Sequence, residues 1–172
     1  MISKEAERIH KESLIVEGHR DVFEMVRLKR AGEHYPVLSK IVPRLKKGGV
    51  TVSVFAICGD AVSHANGTYR YLHAALENID ALRREAEASG GKIKFILSAA
   101  DLPTGPVDDT VYFLLSFEGG KPLEGRLEYL RTFYQLECAC RPSRMIGVAS
   151  LLLLSPKVST PEAWLQAFPF LL

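Results

Sequence analysis

The chain has 172 residues, 47% of them hydrophobic, and its formal net charge at pH 7 is +2. A chain of this length and composition can bury one ordinary core, which favours one globular unit over several domains. The small net charge argues against nucleic acid and against an anionic membrane surface as partners.

Cysteine usage and the first residues indicate a reducing compartment. The three cysteines, Cys58, Cys138 and Cys140, lack the paired spacing of a disulfide framework. The segment MISKEAERIHKES is charged throughout, without the apolar region of a secretory leader. The longest apolar stretch, MIGVASLLLL, is too short to span a bilayer. We therefore expect a cytoplasmic protein without a membrane partner.

Strand and helix patterns alternate along the chain as far as Leu136. Alternation of this kind implies a parallel sheet or barrel with right-handed crossovers. Two double glycines, Gly48-Gly49 and Gly90-Gly91, lack the features of a phosphate loop and are interpreted as helix stops. The predicted elements, in order, are the strand LIVEGH, the partly helical connector PVLSKIVPRLKKGG, the strand VTVSVFAICG, a helix from about Gly67 to Ser89, the strand KIKFILS, the loop ADLPTGPVDD, the strand VYFLLSFE and a helix within LEGRLEYLRTFYQL.

Helical spacing predicts which side of each longer helix faces the core. In the helix that ends near Ser89, the apolar face comprises Leu72, Ala75, Leu76, Ile79 and Leu82, and the solvent side carries Arg83, Arg84, Glu85 and Glu87. In the last helix the core face comprises Leu123, Leu127, Leu130 and Tyr134.

The first strand ends in two residues of metal-ligand type, His19 and Asp21. A strand puts residues i and i+2 on one face, so both side chains could point at one ion. The carboxyl ends of parallel strands are where α/β enzymes place their chemistry. The alternative is a solvated strand end that carries a His and an Asp by chance, since a two-residue motif has a high false-positive rate.

A second apolar strand also stops at a carboxylate, Glu118, which Gly119 and Gly120 follow. The segments EGHRD and SFEGG together resemble the membrane (renal) dipeptidase family of zinc metallopeptidases, within the amidohydrolase group of metal-dependent barrels. The intervening PRLKKGGVTVSVFAICG is similar to the family's helix, double glycine and second strand. The resemblance runs from about Ile9 to about Leu136. It departs at Glu17 and Arg20, where the family commonly has Asp and Asn.

This resemblance implies the N-terminal portion of a (β/α)₈ TIM-type barrel, since a complete barrel needs roughly 250 residues. It also implies hydrolysis of dipeptides, through attack of a metal-bound hydroxide at a two-zinc site. His19 and Asp21 would bind the first zinc ion, and Glu118 would bridge both ions as the catalytic carboxylate. The second ion needs two later histidines, but no His follows His73, so at most one site's ligands are present.

On this reading the chain is a truncated and inactive form of the enzyme, without the family's substrate-binding residue. The competing class is a non-catalytic protein, either a pseudoenzyme or a fragment that retains a single metal site. The sequence leaves open whether the chain forms a homodimer.

Other candidates for a site favour ordinary structural roles. His34, His64 and His73 lack a partner at ligand spacing and are interpreted as surface residues or as residues that support a ligand from behind, and His10 lies in a charged helical segment and is interpreted as solvated. Cys58 follows a buried strand and fits a small core residue. The basic run at Arg44, Lys46 and Lys47 has no interleaved aromatic residues and reads as a solvated helix end.

The organisation changes after Leu136, so residues 137–172 are assigned separately from residues 1–136. The tail has few charges, scattered prolines and no clean period. One interpretation is a native extension; the other is a shifted reading frame. Loss of one nucleotide after Leu136 permits G-V-R-L-x-T-L-T-H-N-W from Glu137 onward, close to the family at this point, with its substrate-holding His at Met145. A tail of this origin is expected to pack poorly.

Overall fold

Four parallel strands form one sheet in the computed structural model, which describes residues 2–59, 71–107 and 109–136. The strands are β1 (Ile15–Asp21), β2 (Val50–Gly59), β3 (Ile93–Phe95) and β4 (Val111–Glu118). Their order in the sheet is β1-β2-β4-β3, and every pairing is parallel. The predicted α/β class with a parallel sheet is therefore confirmed.

Five α-helices lie among the described residues: α1 (Lys4–Glu12), α2 (Phe23–Arg30), α3 (Val42–Lys47), α4 (Tyr71–Ala88) and α5 (Leu127–Gln135). A π-helical turn, Val37–Ile41, leads directly into α3, and short 3₁₀ turns occupy Ala99–Asp101 and Lys121–Leu123. Helix α1 begins where the Ser3 hydroxyl accepts the N–H of Ala6 at 3.1 Å. This side-chain cap satisfies one of the N–H groups that a helix start leaves without a partner.

Strand β2 lies between the two strands that end in candidate ligands. It pairs with β1 on one side and with β4 on the other, whereas β3 pairs only with the first residues of β4. The third strand is shorter than predicted, because KIKFILS leaves the ladder after Phe95. The carboxyl ends of β1 and β4 are thus one strand apart.

The two faces of the sheet bury different apolar sets. On one face, Phe55 and Phe113 pack edge to face with ring centroids 5.2 Å apart, and Phe117 meets Phe133 of α5 at 4.7 Å. This face belongs to the larger core, to which helices α2 to α5 contribute. The opposite face carries a smaller cluster of Val52, Val54, Ile96 and Leu114. Burying both faces explains the near-continuous apolar sequences of β2 and β4.

The predicted faces of the longer helices need correction at several positions. Leu76 and Tyr134 are exposed, and the residue that α5 buries fully is Phe133. Glu85 was expected on the solvent side of α4, but it is buried and accepts the N–H of Leu38 at 2.8 Å. The reason is spacing, since Glu85 follows buried Leu82 by three residues and therefore lies on the same stripe.

Lys46 of the basic run is partly buried, so the interpretation as a solvated helix end was wrong for this residue, whereas the Arg44 side chain is 56% exposed. Lys46 donates to the carbonyl oxygens of Val107 and Thr110, and Arg44 donates to Glu24 at 2.5 Å. These contacts tie α3 to α2 and to the residues that lead into β4.

The double glycines end helices as predicted. Gly49 follows α3 with φ at +71°, in the left-handed region that favours glycine. A Cβ at Gly49 would lie 2.7 Å from Nε2 of His10. Both the backbone conformation and the close approach of α1 therefore require glycine here.

Several predicted features lie outside the described ranges. These are the tail from Glu137, with the position of the expected substrate-holding His, together with His64 and the side chain of Cys58. Across residues 2–59, 71–107 and 109–136, none of the helices has the length and apolar character needed to cross a membrane.

Candidate metal centre

Three potential ligands converge at the carboxyl ends of β1 and β4. One ligand atom each from His19, Asp21 and Glu118 lies within 4.8 Å of the other two. Nε2 of His19 is 3.9 Å from Oε2 of Glu118, and the two side chains are 30% and 45% exposed. The side chains that the sequence singled out are therefore close together and open to solvent. Their role as metal ligands is a proposal.

A small residue on β2 lets the ligands meet across the intervening strand. Asp21 on β1 is in register with Ala56, which is in register with Ser116 on β4. Neighbouring strands are about 4.8 Å apart, so β1 and β4 are about 10 Å apart across β2. Glu118 is in register with Gly59, so the β2 residues beside Asp21 and Glu118, Ala56 and Gly59, are both small.

A β-bulge in β1 decides which side chains face this space. Glu17 pairs with Ser53 and Arg20 with Phe55, so three steps along β1 match two along β2. One extra residue on a strand shifts the alternation of its side chains. Glu17 and Arg20 therefore share the helix-covered face with Phe55, while Asp21 and His19 face the other way. Simple alternation would have placed Glu17 on the ligand side.

The backbone around the ligands is turned by local contacts. Oδ1 of Asp21 accepts the N–H of Phe23 at 3.0 Å, which holds this carboxylate against the start of α2. A carboxylate accepts several bonds, so Asp21 keeps capacity for an ion. After Glu118, Gly119 adopts φ of +96° and the chain turns out of the sheet. Lys121 then donates to the hydroxyl of Tyr71 at 3.3 Å, which ties this turn to α4.

The other histidines in the described ranges lie apart from this cluster. His10, His34 and His73 are exposed, and Nε2 of His10 lies 3.1 Å from the carbonyl oxygen of Gly48. Within the described ranges, His19, Asp21 and Glu118 are the group of three or more ligand-type residues with suitable spacing.

The donor set suits zinc. Zn²⁺ binds His nitrogen and carboxylate oxygen at about 2.0–2.2 Å, and a catalytic site combines three protein ligands with an open position. Tetrahedral ligand atoms at these bond lengths are about 3.4 Å apart. The separation of 3.9 Å between His19 and Glu118 therefore needs a movement of about 0.5 Å, and the remaining distances, all within 4.8 Å, need at most about 1.4 Å. The residues present fit one such ion.

Sequence reasoning missed the polar network directly behind the ligands. Arg20 donates to both carboxylate oxygens of Glu17, at 2.8 and 2.7 Å, and to Glu24 at 3.3 Å. Ser53 donates to Glu17 at 2.6 Å, and Arg44 holds the other oxygen of Glu24. The charges at Glu17 and Arg20 were visible in the sequence, but the bulge that brings them onto one face was not.

Comparison with known proteins shows that this chain is similar to one part of longer proteins. The model of the membrane dipeptidase family, peptidase family M19, matches residues 3–141. Among proteins with curated descriptions, none matches. A solved structure described as dipeptidase AC, a metallo-peptidase of family M19, matches at 21% identity with a TM-score of 0.60, over 76% of this chain and 42% of its own. An amidohydrolase from Pseudomonas aeruginosa matches at 17% identity with a TM-score of 0.55, over 77% of this chain and 34% of its own. The chain thus spans less than half the length of these solved structures.

Proposed function

The chain belongs to the membrane dipeptidase family, peptidase family M19. On this premise we propose that it carries the ligands for the first of the two zinc ions of a dipeptidase site. The full-length form hydrolyses dipeptides, and this 172-residue chain alone does not. The observation that carries the proposal is the convergence of His19, Asp21 and Glu118 at one end of the parallel strands.

Each of the three residues has a distinct task in this proposal. His19 and Asp21 would hold the first ion, and the Glu118 carboxylate would be the ligand that the first ion shares with a second. When bound, the two ions would supply Lewis-acid activation of a water and of the peptide carbonyl. The contact from the N–H of Phe23 keeps the Asp21 carboxylate aimed at the ion.

The missing ligands support an inactive short chain. By resemblance, the second ion needs two histidines from later strands, and the sequence has no His after His73. Losing one ion and the substrate-holding His removes contributions that are each worth a few kcal/mol. The second candidate function is a non-catalytic one, a pseudoenzyme or fragment with a single metal site. Within the described ranges, its supporting observation is the single group of His19, Asp21 and Glu118.

An assay with matched proteins tests the proposal. The purified chain is titrated with Co²⁺ as a spectroscopic substitute for Zn²⁺, then loaded with Zn²⁺ and given a panel of dipeptides. We expect one bound ion and no turnover, and loss of binding in Glu118→Gln but not in Glu128→Gln, a change at an exposed position of α5. Zinc-dependent, chelator-sensitive turnover by the short chain would contradict the proposal that this chain lacks the ligands needed for activity. Failure to bind Co²⁺ would contradict the metal site itself.

We further propose that residues 137–172 are read in a shifted frame. The family match ends at residue 141, a few residues after Leu136, and residues 142–172 lie outside it. Sequencing the DNA and transcript around the Leu136 codon tests this. We expect one inserted nucleotide to restore a reading frame with His at the position of Met145 and further histidines beyond it. An intact frame without such a continuation would support a native extension.

A further inference from the structure

We propose that Arg20 is a positioning residue that closes the bulge of β1 onto Glu17 and thereby aims His19 at the ion. This inference rests on the metal site proposed above. It concerns a pair for which the family resemblance offers no precedent, because the family commonly has Asp and Asn at these positions.

The bulge is the part of β1 that most needs an external tie. Between Glu17 and Arg20 the ladder to β2 contains one unmatched residue, so Gly18 and His19 lie where the regular pairing is interrupted. A bulge leaves its extra residue outside the ladder. Glycine next to His19 adds backbone freedom. The ladder alone therefore does not fix the direction of the His19 side chain.

The Arg20–Glu17 pair bridges this interruption. The guanidinium donates through Nε and Nη2 to the two oxygens of Glu17, at 2.8 and 2.7 Å. Two parallel bonds of this kind fix a mutual orientation as well as a distance. Because the two residues flank the bulge on both sides, the pair sets the path of the backbone between them, and His19 lies on that path.

The pair is itself anchored to rigid elements. Ser53, which is fully buried on β2, donates to Glu17 at 2.6 Å. On the other side Arg20 donates to Glu24 of α2, which Arg44 of α3 also holds. The side chains of Arg20 and Glu17 are only 21% and 26% exposed, so solvent screens the pair less than it screens a surface ion pair. The tie thus connects the bulge to β2, α2 and α3.

The chain contains a matched control on α1. Arg8 forms the same two-bond contact with Glu5 at the same spacing of three residues, at 3.1 and 2.8 Å, but both side chains are largely exposed and lie on α1, which precedes the first residue of β1, whereas the ligands lie at its last residues. Arg8→Gln therefore removes the same chemistry without touching the bulge. The test variants are Arg20→Gln, which removes the charge, and Arg20→Lys, which keeps the charge but loses the two-bond geometry.

The experiment measures Co²⁺ affinity by absorbance and thermal stability by calorimetry for the full chain and each variant. Partners of metal ligands typically contribute 10- to 100-fold to affinity, so we expect Arg20→Gln to bind Co²⁺ about 10- to 100-fold more weakly. Arg20→Lys should be intermediate, and Arg8→Gln should match the unchanged chain. Equal Co²⁺ affinity in Arg20→Lys and the unchanged chain would overturn the proposal, as would equal loss in Arg8→Gln.

A measurement without metal separates this proposal from the proposed function. Hydrogen exchange and NMR of the metal-free chain report on the amides of Gly18 and His19 and on the ring of His19. We expect faster exchange and shifted resonances at these two residues in Arg20→Lys and not in Arg8→Gln. If the unchanged chain binds no Co²⁺ but this difference is found, the metal site fails while the positioning role is supported. If the difference is absent, the positioning role is overturned.

Discussion

Replacing Ala56 with leucine should disrupt the metal centre more than the fold. Ala56 lies in register between Asp21 and Ser116, on the strand over which the ligands of β1 and β4 meet. It is only 2% exposed, so the space around its methyl group is already filled. A leucine side chain would extend into the gap of about 10 Å between β1 and β4. His19 and Glu118 would then be held apart.

The expected magnitudes follow from this geometry. Extra methylene groups in a packed region cost about 1–3 kcal/mol of unfolding free energy. Nε2 of His19 and Oε2 of Glu118 are 3.9 Å apart and must approach to about 3.4 Å around one zinc ion. Displacement by even 1 Å in the wrong direction prevents shared coordination. We expect a loss of metal affinity of at least about 10- to 100-fold, or about 1.4–2.8 kcal/mol.

The control is Ala75→Leu, the same change at a fully buried residue of α4 in the core on the other face of the sheet. Calorimetry and Co²⁺ titration are run on both variants. Each should have a lower melting temperature, by about 2–8 °C for each kcal/mol lost. Only Ala56→Leu should lose metal affinity. If Ala56→Leu bound Co²⁺ as tightly as Ala75→Leu, the inference that the ligands meet over Ala56 would be refuted.

Three further predictions concern stability. Burial raises the pKa of Glu85 above its ordinary value of 4.5, although the hydrogen bond from Leu38 acts in the opposite direction. The contribution of Glu85 to the unfolding free energy is therefore fully present below pH 4.5 and is lost as the pH rises through the raised pKa. Chemical unfolding of the chain and of Glu85→Gln at several pH values should therefore show the unmodified chain losing stability relative to the variant with rising pH; parallel profiles would exclude this role. The hydroxyl of Thr51 is buried without a hydrogen-bond partner among the described residues, so Thr51→Val should raise the unfolding free energy by about 1 kcal/mol in a urea titration, and a decrease would show an overlooked partner. Gly49→Ala should lower the unfolding free energy by at least about 1 kcal/mol, because φ is +71° and the new Cβ would lie 2.7 Å from Nε2 of His10. An unchanged unfolding free energy would mean that α1 moves freely away.

The sequence by itself determined the main strands and the identity of the candidate ligands. Strands β2 and β4 occupy the residues expected from their apolar runs, and Gly49 and Gly90 follow helices as predicted. These features depend on local rules, namely the side-chain period, the length of an apolar run and the conformational freedom of glycine. The prediction that His19 and Asp21 share a site with the distant Glu118 came from a family resemblance rather than from any local rule.

Only the tertiary structure decided how these elements meet. The placement of β4 directly beside β2, the bulge before Asp21, the burial of Glu85 and the contacts of Lys46 all depend on residues far apart in the chain. A charged residue reads as solvent-exposed until a partner from another element satisfies it, as the N–H of Leu38 satisfies Glu85. Strand alternation likewise assigns Glu17 to the ligand face until pairing with β2 introduces an extra residue. Local patterns carry no information about such long-range pairings, and for that reason the ligands could be named from the sequence while their support could not.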